Sequence, residues 1–140
     1  MNAIDKINKF GWADWFLGPF CFDDDRLFIK LSYDTGTDYN SNGTLKKDGE
    51  RYAYATICCN HFIGFIFVGC WDESIIEDIN VESEGDLIVD SVKKVKCLHG
   101  GAPFPDAEKD IDGQWYQLNI KLIDGNVIKI ACKDFEIEVQ

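Results

Sequence analysis

Residues 115–139 read WYQLNIKLIDGNVIKIACKDFEIEV. Two alternating segments, Trp115 to Ile123 and Val127 to Val139, flank Asp124-Gly125-Asn126, a composition suited to a β-hairpin turn. Hydrophobic matching sets the register, because a one-residue slip moves every side chain to the other face. A two-residue Asp-Gly turn would place Ile120 opposite Lys129. A three-residue loop over 124–126 pairs Leu122 with Ile128, Ile120 with Ile130 and Leu118 with Cys132. It leaves Lys121, Asn119 and Gln117 facing Lys129, Ala131 and Lys133. That choice yields one apolar and one wet face, so it is the expected register.

Upstream, Arg26 to Tyr33 alternates apolar and polar residues and reads as a strand. Arg51 to Cys59 and Phe62 to Cys70 read as two more, joined around Asn60-His61. The second is apolar at nearly every position, which predicts a central strand covered on both faces, with Gly64 allowing a close neighbour. Residues 34–50 carry Gly36, Asn40, Ser41, Asn42, Gly43 and Asp48-Gly49, the composition of a long polar loop or of an irregular hairpin. Ser74 to Glu82 reads as a strand that sends Ile75, Ile79 and Val81 to the core.

Two helices are expected. Ile4, Ile7, Trp12, Trp15 and Phe16 recur at helical spacing over 2–17, with Gly11 as a weak point and Gly18-Pro19 as the stop. Over Gly85 to Leu98, Ile88, Val92 and Val95 form a stripe. Asp86 and Asp90 lie near its positive end, and Lys93, Lys94 and Lys96 near its negative end. Residues 99–114 read as a loop. The expectation is one α+β domain spanning 1–140: a mainly antiparallel sheet of about six strands, an N-terminal helix, and one helix before the C-terminal β-hairpin.

The net charge is −11, and it is uneven. Residues 1–50 hold six basic and nine acidic residues; residues 51–140 hold eight and sixteen. Within the second part, Asp72, Glu73, Glu77, Asp78, Glu82, Glu84, Asp86 and Asp90 occur without one lysine or arginine between Trp71 and Asp90. Ile75, Ile76, Ile79, Val81, Leu87, Ile88 and Val89 are threaded through them, which implies folded structure with one acidic, solvated side. Such a side repels nucleic acid and anionic lipid and attracts basic proteins. The residues expected to bind a partner are Trp71, Asp72, Glu73, Glu77, Asp78, Glu82, Glu84 and Asp86. The N-terminus lacks the apolar segment of a secretory signal and no apolar run approaches ~18 residues, so a soluble cytoplasmic protein is expected.

Catalytic and metal readings are weaker. Cys58, Cys59, His61 and Cys70 cluster in sequence, as do Cys97 and His99. Adjacent strand cysteines point to opposite faces, however, and no Cys-x2-Cys pair occurs. Buried reduced thiols without metal or cofactor are the expectation. There is no nucleophile elbow and no phosphate-binding loop. Asp23-Asp24-Asp25 reads as a solvated turn. Trp12, Trp15, Trp71 and Trp115 could line a ligand pocket, which would suit a small-molecule-binding module or an enzyme; aromatics at such spacings more often fill cores. A third reading makes the acidity a matter of solubility alone.

Ile57-Cys58-Cys59, Phe62-Ile63-Gly64-Phe65, Gly69-Cys70-Trp71-Asp72-Glu73 and Leu122-Ile123-Asp124-Gly125-Asn126-Val127-Ile128 carry a resemblance. In size, charge and β-rich layout, over most of its length, the chain resembles the small immunity-type proteins of bacterial polymorphic toxin systems. The resemblance implies a cytoplasmic protein that neutralises a toxin by binding it. The acidic face makes the expected partner basic, such as a nuclease-type toxin whose active site is occluded, and the chain non-catalytic.

Overall fold

The structure, a computed structural model, describes residues 2–39, 45–68, 74–88, 90 and 113–140; at 35–39, 45–52 and 68 it describes the backbone alone. It holds a short helix and eight strands: α1 (Ala3–Lys9), β1 (Phe16–Asp23), β2 (Arg26–Tyr39), β3 (Leu45–Asn60), β4 (Gly64–Val68), β5 (Ile76–Ser83), β6 (Tyr116–Leu122), β7 (Val127–Cys132) and β8 (Asp134–Val139). A further helical turn covers 86–88. The expected antiparallel α+β character holds, but the described residues form eight strands in two sheets. Their orders are β1-β2-β3-β8 and β4-β7-β6-β5.

The inner faces share one core. Leu27, Ile29 and Leu31 from β2, Ala55, Ile57 and Cys59 from β3, and Phe135 from β8 meet Ile76, Ile79 and Val81 from β5. Leu118, Ile120 and Leu122 from β6 and Ile128, Ile130 and Cys132 from β7 complete it. Within each strand these positions follow period-two alternation, except across the register shift between Ile76 and Asp78 in β5. Backbone hydrogen bonds join the sheets at two corners. At one, the Leu17 N–H donates to the Ser74 carbonyl (2.7 Å) and the Ile76 N–H to that of Trp15 (2.7 Å). At the other, the Ile63 N–H donates to Ala131 (3.0 Å) and the Lys133 N–H to Asn60 (2.9 Å).

Helix α1 packs against β5 and β8, one edge strand of each sheet. Asn2 caps it, its side chain accepting the Asp5 N–H at 2.8 Å, and Ile7 is its buried anchor. The helix does not run to residue 17. Phe10 is extended, and Trp12 and Trp15 are buried in an aromatic group with Phe10 and Tyr33 whose ring centroids lie 4.4 to 5.5 Å apart. Aromatic packing, rather than a helical face, accounts for their spacing. Gly18-Pro19 lies inside β1, where the register shifts between Leu17 and Phe20. A Cβ on Gly18 would stand 2.8 Å from the Lys30 carbonyl oxygen, so glycine lets the two strands approach.

Four further expectations need correction. Of the two readings of 34–50, the irregular hairpin holds and the loop does not: β2 runs to Tyr39 and β3 starts at Leu45, with register shifts at 34–36 and 37–39 absorbing the polar, glycine-bearing sequence. The apolar 62–70 segment is not central. β4 is an edge strand, and Phe65 and Ile66 are 39% and 42% exposed. In β5, a shift between Ile76 and Asp78 makes Ile76, not Ile75, the core residue. Finally, 127–139 is two strands in different sheets. The apolar phase moves from Ile128, Ile130 and Cys132 to Phe135 and Ile137, and Lys133 is where the chain turns.

The β6–β7 hairpin has a three-residue loop, displaced by one residue. Leu122 meets Asn126 across its mouth, the Leu122 N–H donating to the Asn126 carbonyl at 2.9 Å. Ile120 therefore faces Ile128 and Leu118 faces Ile130, two residues from the expected partners. A shift of two preserves which face each side chain takes. Gly125, at φ 89°, occupies the left-handed position such a loop requires. Asn119 rather than Lys121 now opposes Lys129, which removes the like-charged pair. The expected helix over 85–98 is described only to 90 (except 89), and the 99–114 loop only at 113–114.

Candidate functional site

Among the described carboxylates of the lysine-free run, Glu77, Asp78 and Glu82 lie on β5 and Glu84 and Asp86 in the turn after it. Glu77 and Asp78 sit side by side at the register shift, both exposed; Glu82 and Glu84 are exposed beyond them. Glu84 takes φ 62°, turning the chain toward the helical turn that begins at Asp86. Asp90 is exposed. Trp71, Asp72 and Glu73 lie outside the described residues.

Sheet pairing supplies what the sequence run lacks. Asp78 is the cross-strand partner of Lys121. The Lys129 ammonium donates to both oxygens of Asp86, at 3.1 and 2.9 Å. Asp86 is thus already matched, and its carboxyl is held below the usual carboxylate range. The Lys129 hydrogen bond is the main cause, followed by those from Gln117 and the Leu87 backbone.

An amide ladder runs beneath these groups on the outer face of the second sheet. Gln117 is 1% exposed. The Leu87 N–H donates to its Oε1 at 3.0 Å, which fixes the orientation of the amide. Its Nε2 faces Asn119 Oδ1 at 2.8 Å, and Glu82 Oε1 and Asp86 Oδ1 each at 3.3 Å. Asn119 donates to Asn80 at 3.0 Å, and Asn80 to Asp78 at 3.4 Å. Gly85 makes room for this: any Cβ there would collide with the Gln117 amide. The free edge of β5 is engaged by Asn8, whose Oδ1 accepts the Val81 N–H at 2.6 Å and whose Nδ2 donates to the Val81 carbonyl at 3.2 Å. Sequence reasoning assigned Gln117 and Asn119 only to a wet face; nothing in their spacing signals the ladder.

The other candidates disperse. Cys58 and Cys59 do point to opposite faces, and Cys59 lies with Cys132 in the core. Burial pushes the Cys58 thiol up to about 11, with Glu136 adding to it, and burial also raises Cys132 strongly. Cys21, Cys58, Cys59 and Cys132 are free thiols. His61 Nδ1 lies 3.0 Å from Asp25, and Arg26 bonds Asp23 at 3.1 Å across the β1–β2 turn. Among the described residues no group of three or more His, Cys, Asp or Glu is arranged to hold a metal ion. Trp12, Trp15 and Trp115 are all buried in side-chain packing. Cys70, Cys97 and His99 lie outside the described residues.

Among the described residues, no helix is long and apolar enough to cross a membrane. No known family, curated protein or solved structure matches this chain.

Proposed function

We propose that this chain is a non-catalytic protein-binding protein whose β5 carboxylates dock on a basic partner. The observation that carries the reading is the amide ladder. Gln117, Asn119 and Asn80 hold Glu82 and Asp78 at set positions on an exposed strand, while Lys129 consumes only Asp86. Charge serving solubility alone needs no such support. Ordered carboxylates on a sheet surface can take the place of the phosphates that a nucleic-acid-binding protein recognises, and they speed encounter with it. Together with the resemblance to immunity-type proteins, this supports a nuclease-type toxin as the partner in our reading, bound in the cytoplasm and blocked by occlusion of its active site.

The test uses the toxin domain encoded beside the chain's own gene. The double reversal Glu77→Lys, Asp78→Lys keeps exposed positions exposed, so the far-UV spectrum should not change. Association should slow by roughly ten-fold or more at low salt, with the difference shrinking as salt rises. Association at the wild-type rate across all salt concentrations would remove β5 as the interface.

A further inference from the structure

The outer face of the first sheet presents a second, differently charged pattern. Four residue rows cross it, read from the strand pairings. Asp23, Arg26, Asn60 and Asp134 form the first, and Cys21, Phe28, Cys58 and Glu136 the second. Lys30, Thr56 and Glu138 form the third, and Phe16, Ser32, Tyr54 and Gln140 the fourth. Cations stand on β2, and β8 carries three exposed carboxylates. The β3 residues between them are uncharged. Lys30 and Glu138 are exposed, Tyr54 is 53% exposed and Phe16 42% exposed. No described element covers this face.

We infer that this face binds a second copy of the chain through a two-fold axis running along β3. Rotation about that axis carries β2 of one copy over β8 of the other at the same row. Lys30 then meets the second copy's Glu138, and Arg26 meets its Asp134. Glu136 arrives over Phe28, where the Arg26 guanidinium already lies 5.1 Å from the ring centroid. Each contact occurs twice, the hallmark of an isologous interface. Tyr54 and Thr56 meet their own counterparts near the axis. A patch of one sign would repel its own image; here Lys30 on β2 complements Glu138 on β8, while Arg26 comes opposite Asp134 with Asp23 on β1 already paired to it at 3.1 Å.

The size sets the expected strength. Three overlapping strands, β2, β3 and β8, about 4.8 Å apart, and seven residues rising about 3.3 Å each give an overlap of roughly 330 Å² in projection. Two such faces total roughly 660 Å² in projection, below the about 1,200 Å² at which stable specific interfaces begin, so the contact is a weak one. With a net charge of −11 on each copy, association belongs at protein concentrations of tens of micromolar or more. The inference is independent of the β5 reading, which concerns the other sheet.

Sedimentation equilibrium from about 1 to 500 µM tests it on the whole chain. The wild type should move from monomer to dimer. Lys30→Glu and Glu138→Lys should each weaken the dimer by about ten-fold or more, because each sets like charges opposite one another twice. Circular dichroism checks that both variants fold. Mixing the two variants should restore dimer formation, since every opposed pair in the mixed dimer is then of opposite sign, and so should the double variant. A monomer at all concentrations, a dimer indifferent to both reversals, or reversals that mixing does not rescue would each overturn the proposal.

Discussion

Lys129 and Asp86 are 43 residues apart in the chain and meet at 2.9 Å, so the turn after β5 is tied to β7 by an ion pair. The Asp86 carboxyl is held low chiefly by that lysine. A carboxyl whose folded-state pKa is depressed contributes stability that is fully present above its ordinary value of about 4 and is lost as pH falls through the depressed value. In Lys129→Met the Asp86 carboxyl should titrate at higher pH than in the wild type, as followed by NMR of its side-chain carbon. An unchanged titration would show that the lysine is not the cause. The pair is exposed, so thermal stability near neutrality should move little.

Gly85 and Gln117 form a packed unit in which glycine is required. Gly85→Ala forces the amide away from Leu87, Glu82 and Asp86 and should destabilise the protein by about 1–3 kcal/mol, the scale of leaving buried polar groups unpaired. Gln117→Leu, which keeps the bulk but leaves the Leu87 N–H only Asp86 Oδ1 (2.9 Å) and removes the amide's bonds to Glu82, Asp86 and Asn119, belongs in the same range. Urea denaturation measures both. If Gly85→Ala matched the wild type, the amide would have another place to go, and the ladder would not hold the carboxylates.

The hairpin shows what was legible and why. Face assignment was readable, since Leu118, Ile120, Leu122, Ile128 and Ile130 are all buried as the matching required. Register was readable only modulo two, because hydrophobic matching cannot separate pairings that keep the same faces in. Ile130→Ala should cost about 2–5 kcal/mol as a cavity mutation and Lys129→Ala well under 1. A cross-strand Hα contact or ladder hydrogen bond between Ile120 and Ile128 should appear by NMR, and its appearance between Ile120 and Ile130 instead would reinstate the unshifted register.

Elsewhere the sequence misled for identifiable reasons. Trp12 and Trp15 imitate a helical stripe, but their partners are Phe10 and Tyr33 in a non-local aromatic cluster. The apolar 62–70 run could not reveal an edge strand, because hydropathy does not report strand order. In the candidate site, the acidic run was plain. Its neutralisation at Asp86 was not, since Lys129 comes from a strand 43 residues on.

The thiols should separate by reactivity. Cys21 is exposed and should react first with a thiol reagent under native conditions. Cys58, with its pKa pushed up to about 11, offers little thiolate at neutral pH and should lag well behind. Cys59 and Cys132 are fully buried and should stay silent until the protein unfolds. After denaturation all six cysteines of the sequence should titrate. Fewer than six free groups would mean a disulfide or another modification, and mass spectrometry of the native protein would locate it.

Asn8 gives the sharpest test of how β5 is held. Its amide both accepts from and donates to Val81, so one side chain on α1 satisfies both backbone groups of a strand residue. Asn8→Ala exposes that stretch of edge and should cost about 1–2 kcal/mol, with faster hydrogen exchange at Val81. Asn8→Asp keeps the acceptor for the Val81 N–H but loses the donor, and it sets a carboxylate against a carbonyl oxygen. It should therefore retain more protection at the Val81 amide than alanine does, while still lowering stability. Equal exchange at Val81 in wild type, alanine and aspartate variants would mean that the edge is protected by something other than Asn8. Val81 exchange that rises in Asn8→Ala while the core amides of Ile120 and Ile128 stay protected would show that the edge opens locally, without unfolding of the sheet that carries the carboxylates.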